Sequence, residues 1–305
     1  METLATLREW VNKGEGPKIQ FLLGGAGIGK SSIAHSIGTY FRDHGHRLGS
    51  FFRFDRSIQA QRPLNSVIST ISRDLAKWNH DFGRSLANVL RHKGDLDNSN
   101  DIAYQWKELI LEPLNDKNVR FVGPVLVVID AFDESGSVDE RRLLLKYLTE
   151  DYRQLPTAFR ILVTSRPEHD VLATLKRPGL VHLDLSQYRE KEAVPDIKRY
   201  LSYQLGPENP EAEEVLGEAD LEKLADKAEG LFEWAATACR EVLRDPASST
   251  LKERFDSRLR PMLESEGSHP LDGLYRDILT QLFKDRKSTR LNSSHSGESR
   301  MPSSA

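Results

Sequence analysis

The sequence predicts an α/β fold: a mainly parallel sheet of five strands flanked by helices, followed by a small all-α region. Three observations predict it. Short apolar runs alternate with amphipathic helical patterns as far as residue 188. A glycine-rich turn joins the first run to the first long helix. Beyond residue 189 strand signals stop and only helical patterns continue. Strands that alternate with helices build βαβ units, which place helices on both faces of a parallel sheet.

The elements follow in order. Residues 2–13 read as a short amphipathic helix within a lead-in segment, 1–15. Lys18-Ile19-Gln20-Phe21-Leu22-Leu23 is the first strand, and the helix after the glycine turn carries Ile33, Ala34, Ile37 and Phe41 on one face. Gly49-Ser50-Phe51-Phe52-Arg53-Phe54 is rich in aromatic residues and reads as the second strand. Pro63 opens a helix with Leu64, Val67, Ile68, Ile71, Leu75 and Trp78 at 3.6-residue spacing. Residues 81–92 and 100–115 read as helical too. The unbroken apolar run 125–130 suits a strand covered on both faces. Ser137 with Glu140 forms a capping box for a helix through Leu143, Leu144, Tyr147 and Leu148. Strands four and five fall at 160–164 and 180–185, closing a domain over 16–188. Helices at 192–205, 219–229, 231–243 and 271–284 form the helical domain, 189–286. Residues 287–305 are Ser-rich and aperiodic, as expected of a disordered tail. The abrupt break after Phe283 points further, to a tail that is not native to the domain.

Composition excludes several classes. The 305 residues are 38% hydrophobic and 29% charged, with a net charge of -3, so nothing calls for nucleic acid as a partner. The longest apolar runs are too short for a bilayer, and Met1 leads into an amphipathic helix rather than a signal segment. A cytoplasmic protein without membrane contact is expected. One cysteine, Cys239, excludes an internal disulfide and sits on an apolar helical face, where packing is its expected role. The histidines are scattered and show no ligand spacing.

Residues 24–32 carry the chemistry. Gly24, Gly29, Lys30 and Ser31 match G-x-x-x-x-G-K-[ST], in the strand–turn–helix context that makes the pattern a phosphate site. Gly24, Gly25, Ala26, Gly27, Ile28 and Gly29 form a loop able to curl around an anion, and Ser32 follows in the first helical turn. Lys30 is expected to reach the β- and γ-phosphates and the Ser31 hydroxyl to ligate Mg²⁺. Gly25-Ala26-Gly27 begins a dinucleotide fingerprint, but Lys30 stands where its third glycine belongs. Asp130 ends the third strand, placed to hold Mg²⁺ opposite Ser31. Asp133 and Glu134 are placed to orient or deprotonate an attacking water, or are solvated turn residues. Three acids this close should repel, a difficulty that a bound divalent cation removes. Arg166, after the fourth strand, is placed to contact a γ-phosphate, or is a surface arginine, and Thr164 and Ser165 supply donors beside it.

The glycine loop, Val125-Leu126-Val127-Val128-Ile129-Asp130-Ala131-Phe132-Asp133-Glu134 and Ile161-Leu162-Val163-Thr164-Ser165-Arg166-Pro167-Glu168 together resemble the NACHT family of signal-transduction (STAND) ATPases. Within it they resemble the nephrocystin-like subgroup of fungal NOD-like receptors, where a small residue follows the magnesium acid and two acids stand three and four positions on. Phe51–Arg56, Ala228–Ala235 and Leu271–Tyr275 resemble other segments of that subgroup, so the likeness spans about residues 5–283. It implies a sheet ordered 5-1-4-3-2, ATP or ADP with Mg²⁺, and slow hydrolysis used as a switch. It also implies self-association through the NTPase domain in the ATP state, within an innate-immunity-like or heterokaryon-incompatibility-like receptor. Effector and repeat domains of such a receptor are missing here, as is the winged helix unless the tail replaces it. Phe232 stands where relatives place a proline that packs on adenine, so it either stacks on the base or fills core.

Other readings fit less well. A small-molecule kinase lacks its arginine-rich lid here, and Asn115-Asp116-Lys117-Asn118 is not the N-K-x-D of a GTPase. A non-hydrolysing nucleotide-binding scaffold stays open beside the switch.

Overall fold

The computed structural model describes residues 2–14, 16–55, 57, 66–93, 101–177, 180–187, 190–205, 216–243 and 250–264. The helix opening at Pro63, the helix at 271–284 and the tail at 287–305 lie, in whole or in part, outside them. The chain divides into two compact units, Met1–Tyr188 and Arg189–Ala305.

In the first unit the elements run α1 (Glu2–Asn12), β1 (Ile19–Leu23), α2 (Lys30–Asp43), β2 (Leu48–Arg53), α3 (Ser66–Trp78), α4 (His80–Lys93), α5 (Ile102–Gln105) and α6 (Glu112–Leu114). They continue with β3 (Val125–Asp130), α7 (Val138–Glu150), β4 (Phe159–Ser165), α8 (His169–Leu175) and β5 (Val181–Asp184). The sheet order is β2-β3-β4-β1-β5 with all four pairings parallel, which is the expected 5-1-4-3-2 seen from its other edge.

Alternation along each strand sorts the core into two layers. Ile19, Phe21 and Leu23 of β1, Val125, Val127 and Ile129 of β3, and Ile161 and Val163 of β4 pack beneath α3, α4, α7 and α8. Leu22, Leu126, Val128 and Leu162 point the other way, onto Leu7 and Val11 of α1 and Ala34, Ile37 and Phe41 of α2. The expected capping box of α7 is formed in both directions between Ser137 and Glu140. Leu143, expected on the apolar face of α7, is instead 39% exposed, and Leu145 takes the inward position beside Leu144 and Leu148.

The expected helix at 100–115 contains a π-turn, Trp106–Leu111, in which the Glu112 N–H donates back to the Lys107 carbonyl. Pro113 explains it: a proline ring collides with the carbonyl four residues earlier in a regular helix, and the wider turn relieves that contact. The same combination recurs in the second unit, where the π-turn Phe255–Leu259 precedes Pro261.

The described residues of the second unit form helices and the turns between them: α9 (Glu190–Leu205), α10 (Glu218–Lys227), α11 (Phe232–Leu243), α12 (Leu251–Arg254) and α13 (Arg260–Glu264). Ile197, Leu201, Leu224, Trp234, Ala238, Phe255 and Leu259 form its core. Phe232 meets Tyr200 edge-on within that core, at 6.4 Å between ring centroids. Cys239 is buried, and that burial pushes its thiol up to about 12. Among the described residues no helix is long and apolar enough to cross a membrane.

The lead-in helix is tied to the sheet by a buried charge. Arg160 of β4 is 1% exposed, and its guanidinium donates to the carbonyls of Trp10 (3.4 Å) and Lys13 at the end of α1. It also donates to the Thr157 (2.7 Å) and Phe159 (2.8 Å) carbonyls. A cation against the last carbonyls of a helix satisfies its orphan acceptors and complements its dipole. Arg160→Met is therefore expected to destabilise the first unit by about 2–4 kcal/mol, since it strands buried carbonyls. Denaturant unfolding, with proteolysis of α1 alongside, measures this.

Candidate nucleotide site

Parallel register brings the exits of three strands side by side. Leu23 of β1 is level with Ser165 of β4, Ile129 of β3 with Val163 of β4, and Arg53 of β2 with Asp130 of β3. The loops beginning at Gly24, Ala131 and Arg166 therefore leave the sheet at one edge, the edge where open parallel sheets bind ligands.

The glycine loop has the backbone its motif requires. Gly27 and Gly29 adopt φ of 75° and 98°, a region costly for residues with a Cβ. A Cβ on Gly24 would lie 2.9 Å from Ile28 Cγ2, so this glycine is held by close approach. The loop ends at the first turn of α2, whose N-cap Gly29 supplies no side-chain cap. A helix start left uncapped in this way presents N–H groups and positive dipole to an anion. Lys30 Nζ bends back onto the carbonyls of Gly24 and Gly25, each at 2.7 Å. Burial pushes its ammonium below the ordinary value. Asp133 opposes that shift, Arg166 adds to it, and Asp130 and Glu134 oppose it. A partly desolvated ammonium among acids fits a site for polyphosphate with its metal. Gly25, Ala26 and Ser32 are exposed, while Gly27, Ile28 and Ser31 are half-buried.

Asp130 is the hub. Its side chain is 1% exposed, and Oδ1 accepts from Ser31 Oγ at 3.1 Å and from Thr164 Oγ1. The Thr164 hydroxyl oxygen in turn accepts the Ala131 N–H at 2.9 Å. Ala131 lies in the left-handed region at φ 56°, ψ 45°, a conformation that costs a residue with a Cβ about 1–2 kcal/mol. Among the described residues no group of three or more His, Cys, Asp or Glu side chains is arranged to hold a metal. The donor set here is one carboxylate and one hydroxyl, which suits Mg²⁺, an ion that keeps phosphate oxygens and water as its other ligands.

Asp133 and Arg166 meet directly. Arg166 Nε stands 3.1 Å from Asp133 Oδ2, and the Arg166 N–H donates to Asp133 Oδ1 at 3.1 Å. Asp133 is buried and the Arg166 side chain is 42% exposed. The expected crowding of three acids is thus relieved by arginines as well: Arg166 on Asp133, and Arg53 Nε 3.8 Å from Asp130 Oδ2. Glu134 is half-buried in the same 3₁₀ turn, Phe132–Glu134.

Sequence reasoning assigned no role to Arg53, Arg141 or Asp170. Arg141 donates to Asp170 through Nε (2.7 Å) and Nη2 (3.0 Å), and to the Asp133 carbonyl through Nη1 (3.4 Å). A signal existed: Arg141 falls on the helix face of Leu144, Leu145 and Leu148, where a solvated arginine does not belong.

The family described as nephrocystin 3, N-terminal, matches residues 3–166, more than half of the chain. The chain belongs to that family. The nephrocystin-like resemblance read from the glycine loop and the strand exits is thereby borne out. Among solved structures this nephrocystin 3 N-terminal family member is similar to Cdc6p from Pyrobaculum aerophilum, with a TM-score of 0.51 and 14% identity over 79% of this chain and 60% of that one. The chain thus spans 60% of the Cdc6p chain it matches. Domain III of the Thermotoga maritima replication initiation protein DnaA matches at a TM-score of 0.47 and 13% identity, over 87% of this chain and 92% of that one. A signal transduction ATPase with numerous domains and a tetratricopeptide repeat sensor, from Pyrococcus horikoshii, matches at 0.44 and 15%, over 90% of this chain and 38% of that one. No curated protein matches the chain. The fold is that of a P-loop NTPase.

Burial pushes the Asp170 carboxyl up, but the Arg141 hydrogen bonds and charge outweigh it and hold the group below the ordinary carboxylate value. A carboxyl depressed on folding contributes stability above its unfolded pKa, about 3.9, and loses it as pH falls through the folded value. Wild-type stability is therefore expected to drop as pH falls below about 4. Asp170→Asn should be less stable at pH 7 and should show a shallower acid dependence, as read by denaturant midpoints across pH.

Proposed function

We propose that the chain is the nucleotide-binding core of a NACHT-type (STAND) switch that binds ATP or ADP with Mg²⁺ and hydrolyses ATP slowly. The observation that carries this is the convergence of Lys30, Asp130 and Arg166 at one edge of the sheet, joined through Ser31, Thr164 and Asp133. Mg²⁺ held by Ser31 and Asp130 would supply positive charge against the phosphate oxygens.

Each residue has a role in this reading. Residues 24–29 and the start of α2 bind phosphate oxygens through backbone N–H groups, and Lys30 leaves its two carbonyls to pair with them. Ser31 and Asp130 hold the metal. Thr164 holds the Asp130 carboxylate and the Ala131 N–H in fixed relation. Glu134 orients the attacking water and accepts its proton. Arg166 is the γ-phosphate contact, and Asp133 is the counter-ion that keeps it aimed when no γ-phosphate is present. A ligand shifts a two-state equilibrium only through contacts that differ between the states, and Arg166 is the side chain positioned to make such a contact. ATP rather than GTP, cytoplasmic location, self-association in the ATP state and membership of a longer receptor with effector and repeat domains all belong to this proposal through the family resemblance.

One observation favours a second reading. Asp133 is already engaged by Arg166, which suits a scaffold that binds nucleotide without cleaving it.

Lys30→Ala is expected to weaken nucleotide binding by about a hundredfold or more, because a charge-assisted phosphate contact of about 3 kcal/mol is lost. Titration with a fluorescent ADP analogue measures it, and wild-type affinity in this variant would refute the site. Glu134→Gln should retain ATP and slow single-turnover cleavage about a hundredfold. Equal, negligible cleavage in wild type and Glu134→Gln would select the scaffold reading.

A further inference from the structure

We propose that Arg141, clamped by Asp170, is a positioning residue that sets the separation of the loops bearing Glu134 and Arg166. This rests on the hydrolytic reading above. Two ion pairs link the β3 and β4 exits. The outer one, Asp133–Arg166, has a half-exposed arginine open to a phosphate. The inner one, Arg141–Asp170, is sealed, with side chains 7% and 4% exposed. Arg141 stands in the first turn of α7, directly after the loop of Asp133 and Glu134, and its third arm reaches back to the Asp133 carbonyl. Asp170 stands in the first turn of α8, directly after Arg166-Pro167-Glu168. The inner pair is thus the fixed strut, and the outer pair is the part a ligand can open.

The chemistry of the pair supports this assignment. A buried ion pair generally adds little stability over a well-packed apolar pair of similar volume. What a guanidinium fork on a carboxylate adds is direction, because two parallel hydrogen bonds fix the angle and the distance together. Here the fork joins helices that each begin at a site loop, so its geometry is passed to both loops. Displacing a reacting group by about 1 Å costs about a hundredfold in rate.

The test uses the full chain and two variants, Arg141→Met/Asp170→Leu, which replaces the pair by apolar side chains, and Arg141→Lys, which keeps the charge without the fork. Residue-resolved amide hydrogen exchange reads the strut without any nucleotide. The Arg166 N–H donates to Asp133 Oδ1, so its protection reports loop register, while the Val127 and Ile161 amides report the sheet. The expected result is a nearly unchanged unfolding midpoint and sheet protection, with Arg166 protection reduced about tenfold or more, the worth of one such hydrogen bond. Single-turnover ATP cleavage should fall by about a hundredfold with ADP affinity little changed. Unchanged Arg166 protection in a folded variant overturns the proposal, as does a loss shared equally by the sheet amides. If the double variant does not fold, Arg141→Lys decides by the same readouts. Should wild type neither bind nor cleave nucleotide, the function reading falls while the exchange result still decides the strut.

Discussion

The site depends on one buried carboxylate being held in place without a countercharge directly against it. Asp130 ends a strand covered on both faces, its side chain is almost fully buried, and the groups that reach Oδ1 are hydroxyls of Ser31 and Thr164. The Arg53 guanidinium stands off at 3.8 Å from Oδ2. Taking an ionised carboxylate out of water is costly unless hydrogen bonds or a cation compensate. Two hydroxyls, one from the first turn of α2 and one from the end of β4, offset part of that cost, and they also tie α2, β3 and β4 together at the ligand edge of the sheet. Stability and site geometry are in this way the same set of contacts.

From that hub the rest of the edge follows. Thr164 can serve Asp130 and the Ala131 N–H together only if the chain turns sharply after the acid, and the left-handed Ala131 makes that turn. The turn brings Asp133 under Arg166, and the helix after it carries Arg141 down to Asp170. In the protein alone Arg166 is already paired with Asp133. A polyanion with its metal would enter by exchanging partners rather than by filling a vacuum of charge. Exchange of partners is what a switch requires, because the contacts made with and without ligand then differ.

Much of this was legible in the sequence, and the reasons are physical. Strands β3 and β4 could be read because parallel strands buried on both faces run apolar through their centres, as 125–129 and 161–163 do. The glycine loop could be read because Gly27 and Gly29 occupy positive-φ backbone that is costly for residues with a Cβ. Sheet order came from family resemblance, since local patterns do not encode which strands pair. The π-turn before Pro113 was hidden, because a helical stripe looks the same until the proline's clash is considered in three dimensions. Helix α8 was hidden by its seven residues, too short for a periodicity to register. Leu143 and Leu145 exchanged places because adjacent leucines in α7 allow two faces. The Arg141–Asp170 pair joins residues far apart in the chain, and only the meeting of two strand exits makes them neighbours.

Asp130, with Ser31, is proposed to share a metal with a phosphate chain. Nucleotide affinity measured with saturating Mg²⁺ and again in chelator, in wild type and in Asp130→Asn, tests it most directly. The metal is expected to tighten wild-type binding by about tenfold or more, and most of this gain is expected to disappear in a folded Asp130→Asn. Binding indifferent to Mg²⁺ in wild type, or an undiminished Mg²⁺ gain in the variant, would contradict it.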